Sequence, residues 1–255
     1  MRCLWLLLAL ALFPGRAFGQ DNFEIQVYDS ETAGPWHVGL ETHLIYFVTG
    51  STVTSPDGQA PTNHQFHLTF EPHLGIGTWV ELGLYIQTAI RPDYGFEYAG
   101  VKLRCKLRLD EKLAGAIGLA INFEISDVPR QFEPNVWGSE IRPIIDGRWG
   151  IFYASFNPII DIDLNGPVAG RPQFEPAVKV AFNVIQSLAL GLEYYGAYGP
   201  IGNPLPISES TNRLFVALDF TSDYFDLNFG VGYGFTGPEQ WIVKAILGFH
   251  GKGQP

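Results

Sequence analysis

Residues 101–109 alternate without exception between apolar and cationic side chains. The apolar positions are Val101, Leu103, Cys105, Leu107 and Leu109, and the cationic positions are Lys102, Arg104, Lys106 and Arg108. Because successive side chains of a β-strand point to opposite faces, the stretch has one apolar face and one charged face. A soluble core does not accommodate four cations in a row, whereas a lipid-facing exterior around a wet lumen suits both faces. The pattern predicts a strand of a transmembrane β-barrel.

The same unit of about ten alternating residues recurs from residue 36 onward. Strands are predicted near 36–48, 64–74, 78–89, 96–109, 113–125, 136–147, 149–161, 173–184, 187–198, 211–221, 224–234 and 240–250. Roughly 9–11 residues is the length with which a tilted strand crosses a bilayer. The expected fold is therefore all-β, a closed antiparallel transmembrane barrel of about twelve strands. A soluble β-sandwich also alternates and remains the alternative.

Connections of two lengths separate these strands. Long polar segments lie near 49–63, 90–95, 126–135, 162–172, 199–210 and 235–239, and short turns lie near 75–77, 110–112, 148, 185–186 and 222–223. Outer-membrane barrels have short periplasmic turns and long external loops. We therefore expect both termini to be periplasmic.

The N-terminus has the pattern of a secretory signal peptide. Arg2 precedes a short apolar run, and small residues at Ala17 and Gly19 predict cleavage before Gln20. A retained anchor is the alternative, although the apolar run is short for a membrane span. The expected organisation is a signal peptide at 1–19, a barrel at 36–250 and a tail at 251–255. Residues 20–35 form either a periplasmic extension or a plug that enters the lumen through Phe23, Ile25, Val27 and Tyr28.

Charge excludes one class of partner. The full chain carries a formal charge of −10, and loss of residues 1–19 removes Arg2 and Arg16 and no acid, so 14 basic residues face 26 acidic ones, a charge of −12. Nucleic acid needs a basic surface and is not expected. Outer-membrane lipids and the barrel-assembly machinery are the expected partners. Cys105 is the one cysteine of the mature chain, so no intrachain disulfide is expected.

Inward charges on the first four strands form the main candidate site. Three glutamates, Glu41, Glu71 and Glu81, fall roughly level on strands 1 to 3 and would face the ladder Lys102, Arg104, Lys106 and Arg108. Such a strip either sets the ion selectivity of a pore or is a salt-bridged lumen wall. Small inward residues favour some open space in the lumen: Gly83, Ala114, Ala116, Gly118, Ala120, Gly230 and Gly232.

Four histidines also have inward parity on strands 1 and 2: His37, His43, His67 and His73. Clustered His and Glu side chains bind transition metals. No tight ligand spacing such as His-Glu-x-x-His occurs, so we expect polar lumen residues, and neither a metal nor a cofactor.

Phe-Glu-Pro occurs three times, at 70–72, 132–134 and 174–176. Because proline removes a donor from the hydrogen-bond ladder, we expect bulges or bends at 70–72 and 174–176. Glu133 is expected in a loop.

The segment from Phe70 to Gly77, followed by Trp79 to Gly83, resembles a hairpin of a broad proteobacterial outer-membrane family. Its members are described as transporters or are linked to a phenol-degradation pathway. The resemblance is strongest over 23–90; it implies an outer-membrane barrel and supplies no catalytic residues. The C-terminus departs from the usual barrel ending, because six residues follow Phe249 where a terminal aromatic is expected.

The leading functional expectation is an outer-membrane channel or transporter for small polar solutes or ions. A plugged structural or adhesive barrel that acts through its external loops is the alternative. An outer-membrane lipid hydrolase would need a Ser–His pair, but the strand histidines point inward and no Gly-x-Ser-x-Gly occurs. We therefore do not expect an enzyme.

Overall fold

The computed structural model describes residues 21–109, 117–166 and 169–249. The predicted signal peptide and C-terminal tail lie outside these residues, as do Ala114 and Ala116. Fourteen strands form one antiparallel sheet: β1 (Val38–Thr49), β2 (Phe66–Ile76), β3 (Val80–Arg91), β4 (Gly95–Arg108), β5 (Ile117–Asp127), β6 (Trp137–Trp149), β7 (Phe152–Asn157), β8 (Ile160–Asp163), β9 (Pro172–Phe174), β10 (Ala177–Ile185), β11 (Leu188–Ala197), β12 (Thr211–Thr221), β13 (Phe225–Thr236) and β14 (Trp241–Phe249).

The described part of the chain contains no helix long and apolar enough to cross a membrane.

The sheet closes on itself. β1 pairs with β2 on one side and with β14 on the other, so the first and last strands are neighbours. β6 pairs with β5, β7 and β8, and β7 pairs with β10. β7 and β8 are two parts of one interrupted strand, and so are β9 and β10. The fourteen segments therefore form a ring of twelve strands. The predicted closed antiparallel barrel is confirmed, and the β-sandwich alternative is wrong.

The predicted division between outward and inward faces is present in the structure. On β4, Leu103 is 58% exposed and the neighbouring Arg104 is 6% exposed. On β1, Tyr46 is exposed and His43 is fully buried. The apolar faces therefore form the outer surface, and the charged faces line the lumen.

Prolines interrupt the wall at two places. Pro158 separates β7 from β8, and Glu175 and Pro176 separate β9 from β10. The bend expected at 174–176 is thus an interruption of the strand. At 70–72 the expected bulge does not form: Pro72 pairs with Leu40 of β1, and β2 keeps one register with β3 on both sides of the proline. The missing N–H leaves a local gap in the β2–β3 ladder without shifting it.

The two ends of the barrel differ in their connections. Val38 and Phe249, which begin β1 and end β14, lie at the end with the short turns. The long connections, such as the one between β1 and β2, lie at the other end. The side of a membrane that each end faces stays a prediction.

Candidate functional site: a charged lumen containing the N-terminal segment

The N-terminal segment, residues 21–37, runs inside the barrel as far as the short-turn end, where Pro35 and Trp36 are exposed. Near the long connections, the Phe23 ring stacks on His67 with centroids 4.0 Å apart. Near the short turns, the Thr32 hydroxyl donates a hydrogen bond to the Thr78 carbonyl at 3.1 Å. The segment therefore passes along the lumen before Trp36, which has a φ of 64°, turns the chain into β1. The sequence left these residues open between an extension and a plug.

Side chains of the wall hold the backbone of this segment. Four donors come from four strands spread around the ring: Thr69 to the Phe23 carbonyl at 3.2 Å, Lys244 to Ile25 at 2.8 Å, Arg142 to Gln26 at 3.4 Å and Ser155 to Tyr28 at 2.6 Å. Buried backbone carbonyls need such partners. Polar side chains of the lumen thus give this backbone the hydrogen bonds that a neighbouring strand would give it in a sheet.

Tyr28 is the side chain of the segment with the most charged neighbours. The guanidinium carbon of Arg142 lies 4.3 Å from the centre of its ring, and that of Arg104 lies 5.5 Å away. Its hydroxyl donates to Glu24 at 2.5 Å and contacts the Tyr85 hydroxyl. Tyr28 therefore joins the segment to β3, β4 and β6 at once.

Arg104 brings two of the predicted glutamates together. Its Nη2 lies 2.6 Å from Glu71 Oε1 and 2.6 Å from Glu81 Oε1, and all three side chains are buried. Glu41 pairs with Glu71 across β1 and β2 and is partly exposed. Among the described residues, the ion pairs between the predicted acidic strip and the basic ladder are those that Arg104 makes.

The other cations of the ladder mostly face the N-terminal segment. Lys102 pairs with Asp21, with Glu24 at 3.4 Å and with Glu124 at 3.3 Å. Lys106 lies 3.4 Å from Asp29. Arg108 is partly exposed at the short-turn end of β4. Sequence reasoning missed these pairings, because it left open whether the segment enters the lumen and gave no register between its acidic residues and β4.

The four histidines differ in burial. His43 and His67 are buried, and His37 and His73 are partly exposed. His43 Nε2 lies 3.1 Å from Glu71 Oε2 and 3.9 Å from Glu41 Oε2. Glu41, His43 and Glu71 thus offer three ligand atoms within 4.8 Å of one another. A metal there would compete with Arg104 for Glu71.

A second charge network occupies the opposite wall. Lys244 Nζ lies 2.5 Å from Glu193 Oε2, and Lys179 lies 3.1 Å from Glu193 and 2.6 Å from Asp219. Arg213 pairs with Glu239 at 2.7 Å. Sequence reasoning did not single out this network. The alternation on β10, β11 and β14 does place these charged residues on the inward face. Only closure of the ring, however, brings the three strands close enough for the residues to pair.

The inward glycines at 83, 118, 230 and 232 do not leave open space. A Cβ on Gly83 would lie 2.8 Å from Arg104 Nε, and one on Gly232 would lie 2.5 Å from Phe215 ring atoms. A Cβ on Gly118 would lie 2.0 Å from Ser30 Oγ. The expectation of an open lumen at these positions is therefore wrong, because each glycine makes room for a large or polar neighbour.

An acidic cavity lies near the long-connection end, beside the connection between β5 and β6. Seven carboxylate side chains line it: Asp21, Glu124, Glu133, Glu140, Asp161, Asp163 and Glu175. Burial, and then the charges of Asp21 and Asp161, raise the pKa of the Glu133 carboxyl well above its ordinary value. The Glu133 carboxyl therefore resists ionisation unless a cation lies close to it.

Comparison with known proteins identifies the fold. No protein-family model matches the sequence, and no curated protein sequence matches it. The structure is similar to an outer membrane channel from Pseudomonas putida F1, with a TM-score of 0.59 and 10% identity over 89% of this chain and 100% of that one. It is also similar to the CymD monoaromatic hydrocarbon channel, with a TM-score of 0.50 and 9% identity over 88% of this chain and 90% of that one. At these identities the likeness shows a shared outer-membrane barrel fold.

Proposed function

We propose that the protein is a bacterial outer-membrane channel for ions and small polar solutes. The observation that carries the proposal is the division of the wall: apolar side chains cover the outside, and charged side chains from almost every strand line the inside. A closed barrel satisfies its backbone in lipid, and a charged lumen suits a hydrated solute better than a structural core does. The similar structures named as channels support this function.

The proposed orientation places the short turns in the periplasm and the long connections outside the cell. The predicted signal peptide supports export, and short periplasmic turns are the rule in such barrels. The resemblance to proteins linked to phenol degradation remains a prediction.

We further propose that the N-terminal segment is a plug that restricts the channel. Its carbonyls are bonded mainly by single wall side chains. Between Asp21 and Ala33 it adds no strand to the sheet. A segment held in this way can leave the lumen without breaking the ladder of the barrel. We therefore expect low conductance with the segment in place and higher conductance after its release.

Single-channel recording in planar bilayers tests both proposals, the channel function and the plug. Refolded wild-type protein is compared with a variant that lacks residues 21–33 and with Glu31→Gln, a control at an exposed position of the same segment. The deletion should show larger discrete openings, and the control should match the wild type. If the deletion variant is folded and silent, the protein is not a channel. If all three proteins conduct equally, the segment is not a plug.

A permanently plugged structural barrel is the second candidate. Gly118 favours it, because the wall and the N-terminal segment interlock there at Ser30, and at Gly83 and Gly232 side chains of the wall itself fill the space. The folded but silent deletion variant is the result that would support this function.

A further inference from the structure

The acidic cavity has more negative charge than the protein balances. Lys102 pairs with Asp21 and Glu124, and Arg142 pairs with Glu140 at 2.6 Å. Both cations also pair with Glu24 of the N-terminal segment. Four lining carboxylates have no ion pair within the described residues: Glu133, Asp161, Asp163 and Glu175.

Glu175 gives the sharpest indication that something is bound. It lies in the interruption between β9 and β10, is 6% exposed and lines the cavity. Its backbone N–H donates to the Ile159 carbonyl at 3.0 Å, but its carboxylate has no hydrogen-bond or ion-pair partner among the described residues. An ionised carboxylate that is buried without a partner carries a desolvation cost. A cation would remove that cost.

The size and chemistry of the cavity define the class of cation. Its volume is about 70 Å³, room for roughly five water molecules at 10–15 Å³ each. That space is small for an organic polyamine. The lining offers oxygen donors, including the Asn135 side chain, and neither histidine nor cysteine. Hard divalent cations prefer such oxygen ligands.

We propose that this cavity is a binding site for one divalent cation of the calcium type. In the described residues, no three of these carboxylates bring oxygen atoms within 4.8 Å of one another. The ion would therefore keep part of its water shell, and Glu175 and Asp161, two lining carboxylates without an ion pair among the described residues, would balance its charge. The site would tie the interrupted strands to the β5–β6 connection, and it does not depend on whether the barrel conducts.

Calorimetric titration of CaCl₂ into chelator-treated, refolded full-length mature protein in non-ionic detergent tests the site. We expect about one Ca²⁺ per chain, with a dissociation constant of roughly 10⁻⁴–10⁻³ M, as in extracellular calcium modules. Glu175→Gln combined with Asp161→Asn should weaken binding about tenfold or more, because ligand charge sets affinity. Asp219→Asn, which removes a lumen carboxylate from the opposite wall, should leave binding unchanged.

Absence of binding at millimolar Ca²⁺ would overturn the proposal, and so would equal binding by the wild type and the double variant. A response that NaCl reproduces at equal ionic strength would show charge screening and would also overturn it. Folding of each variant is checked by its heat-dependent shift on gels. If the double variant does not fold, Glu133→Gln in the β5–β6 connection replaces it. Ca²⁺ must also raise the unfolding temperature of the wild type, and EGTA must reverse that rise.

Discussion

Arg104 shows how a single residue fixes the interior of one wall. It neutralises Glu71 and Glu81, which are 1% and 6% exposed and come from neighbouring strands. Gly83 lies beside it without a side chain, which leaves room for the guanidinium. Arginine suits this place because its planar group can bond two carboxylates at once.

Replacement of Arg104 by methionine should destabilise the barrel by about 3–5 kcal/mol, because two buried carboxylates lose their partner. Urea unfolding of the refolded protein in micelles measures the effect. Lys106→Met is the matched control. Lys106 lies on the same inward face of β4 as Arg104, but it pairs with the half-exposed Asp29. Equal losses for the two variants would show that the Arg104 network has no special role.

The positions of individual strands follow from the local sequence, but the packing of side chains between strands does not. The predicted strand at 136–147 is β6 at Trp137–Trp149, because period-two alternation is visible within one strand. The same local signal indicated a bend at Pro176, but it did not indicate the interruption at Pro158, and the bulge or bend that it predicted at Pro72 is absent. It also misjudged the glycines of β13, where space depends on Phe215 of the neighbouring β12. Packing across strands requires the register, which no single strand encodes.

Gly232→Ala should destabilise the barrel by about 1–3 kcal/mol, the usual cost of overpacking, since its Cβ would meet the Phe215 ring at 2.5 Å. Phe215→Leu in the same protein should recover much of that loss, and urea unfolding of the four proteins of the cycle gives the coupling energy. Gly202→Ala is the control, because nothing lies within 4 Å of that position. Additive effects of Gly232→Ala and Phe215→Leu would contradict the packing described.

At the scale of the whole molecule, exposed tryptophans mark two belts. Trp36, Trp79 and Trp149 lie at the short-turn end, and Trp137 and Trp241 lie at the other end. Along β6, the twelve steps from Trp137 to Trp149 cover ~40 Å at ~3.3 Å per residue, or about 30 Å of height at a tilt of about 40°. A bilayer core is about 30 Å thick, so the two belts match its two interfaces.

Alternation alone predicted this exterior, whereas the place of the N-terminal segment depended on contacts with strands far along the chain.

Tryptophan fluorescence in vesicles of brominated lipids should therefore be quenched more by bromines near the headgroup than by bromines near the bilayer centre. Variants with Trp149 or Trp241 as the sole tryptophan report the two belts separately. Protein refolded in micelles without brominated lipid is the control. Stronger quenching from the bilayer centre at either position would contradict the proposed depth.

The path of the N-terminal segment has a consequence for the order of folding. Ile25 is held by Lys244, 219 positions later in the chain, and Gln26 is held by Arg142, 116 positions later. The N-terminal segment therefore cannot complete its contacts until the last strand has been made. Contacts between residues so distant in sequence slow folding, because a long loop must close first. Either the strands assemble around the segment, or the segment threads into a barrel that has already closed. In the first route Tyr28 is buried before the β1–β14 seam closes, and in the second it is buried afterwards.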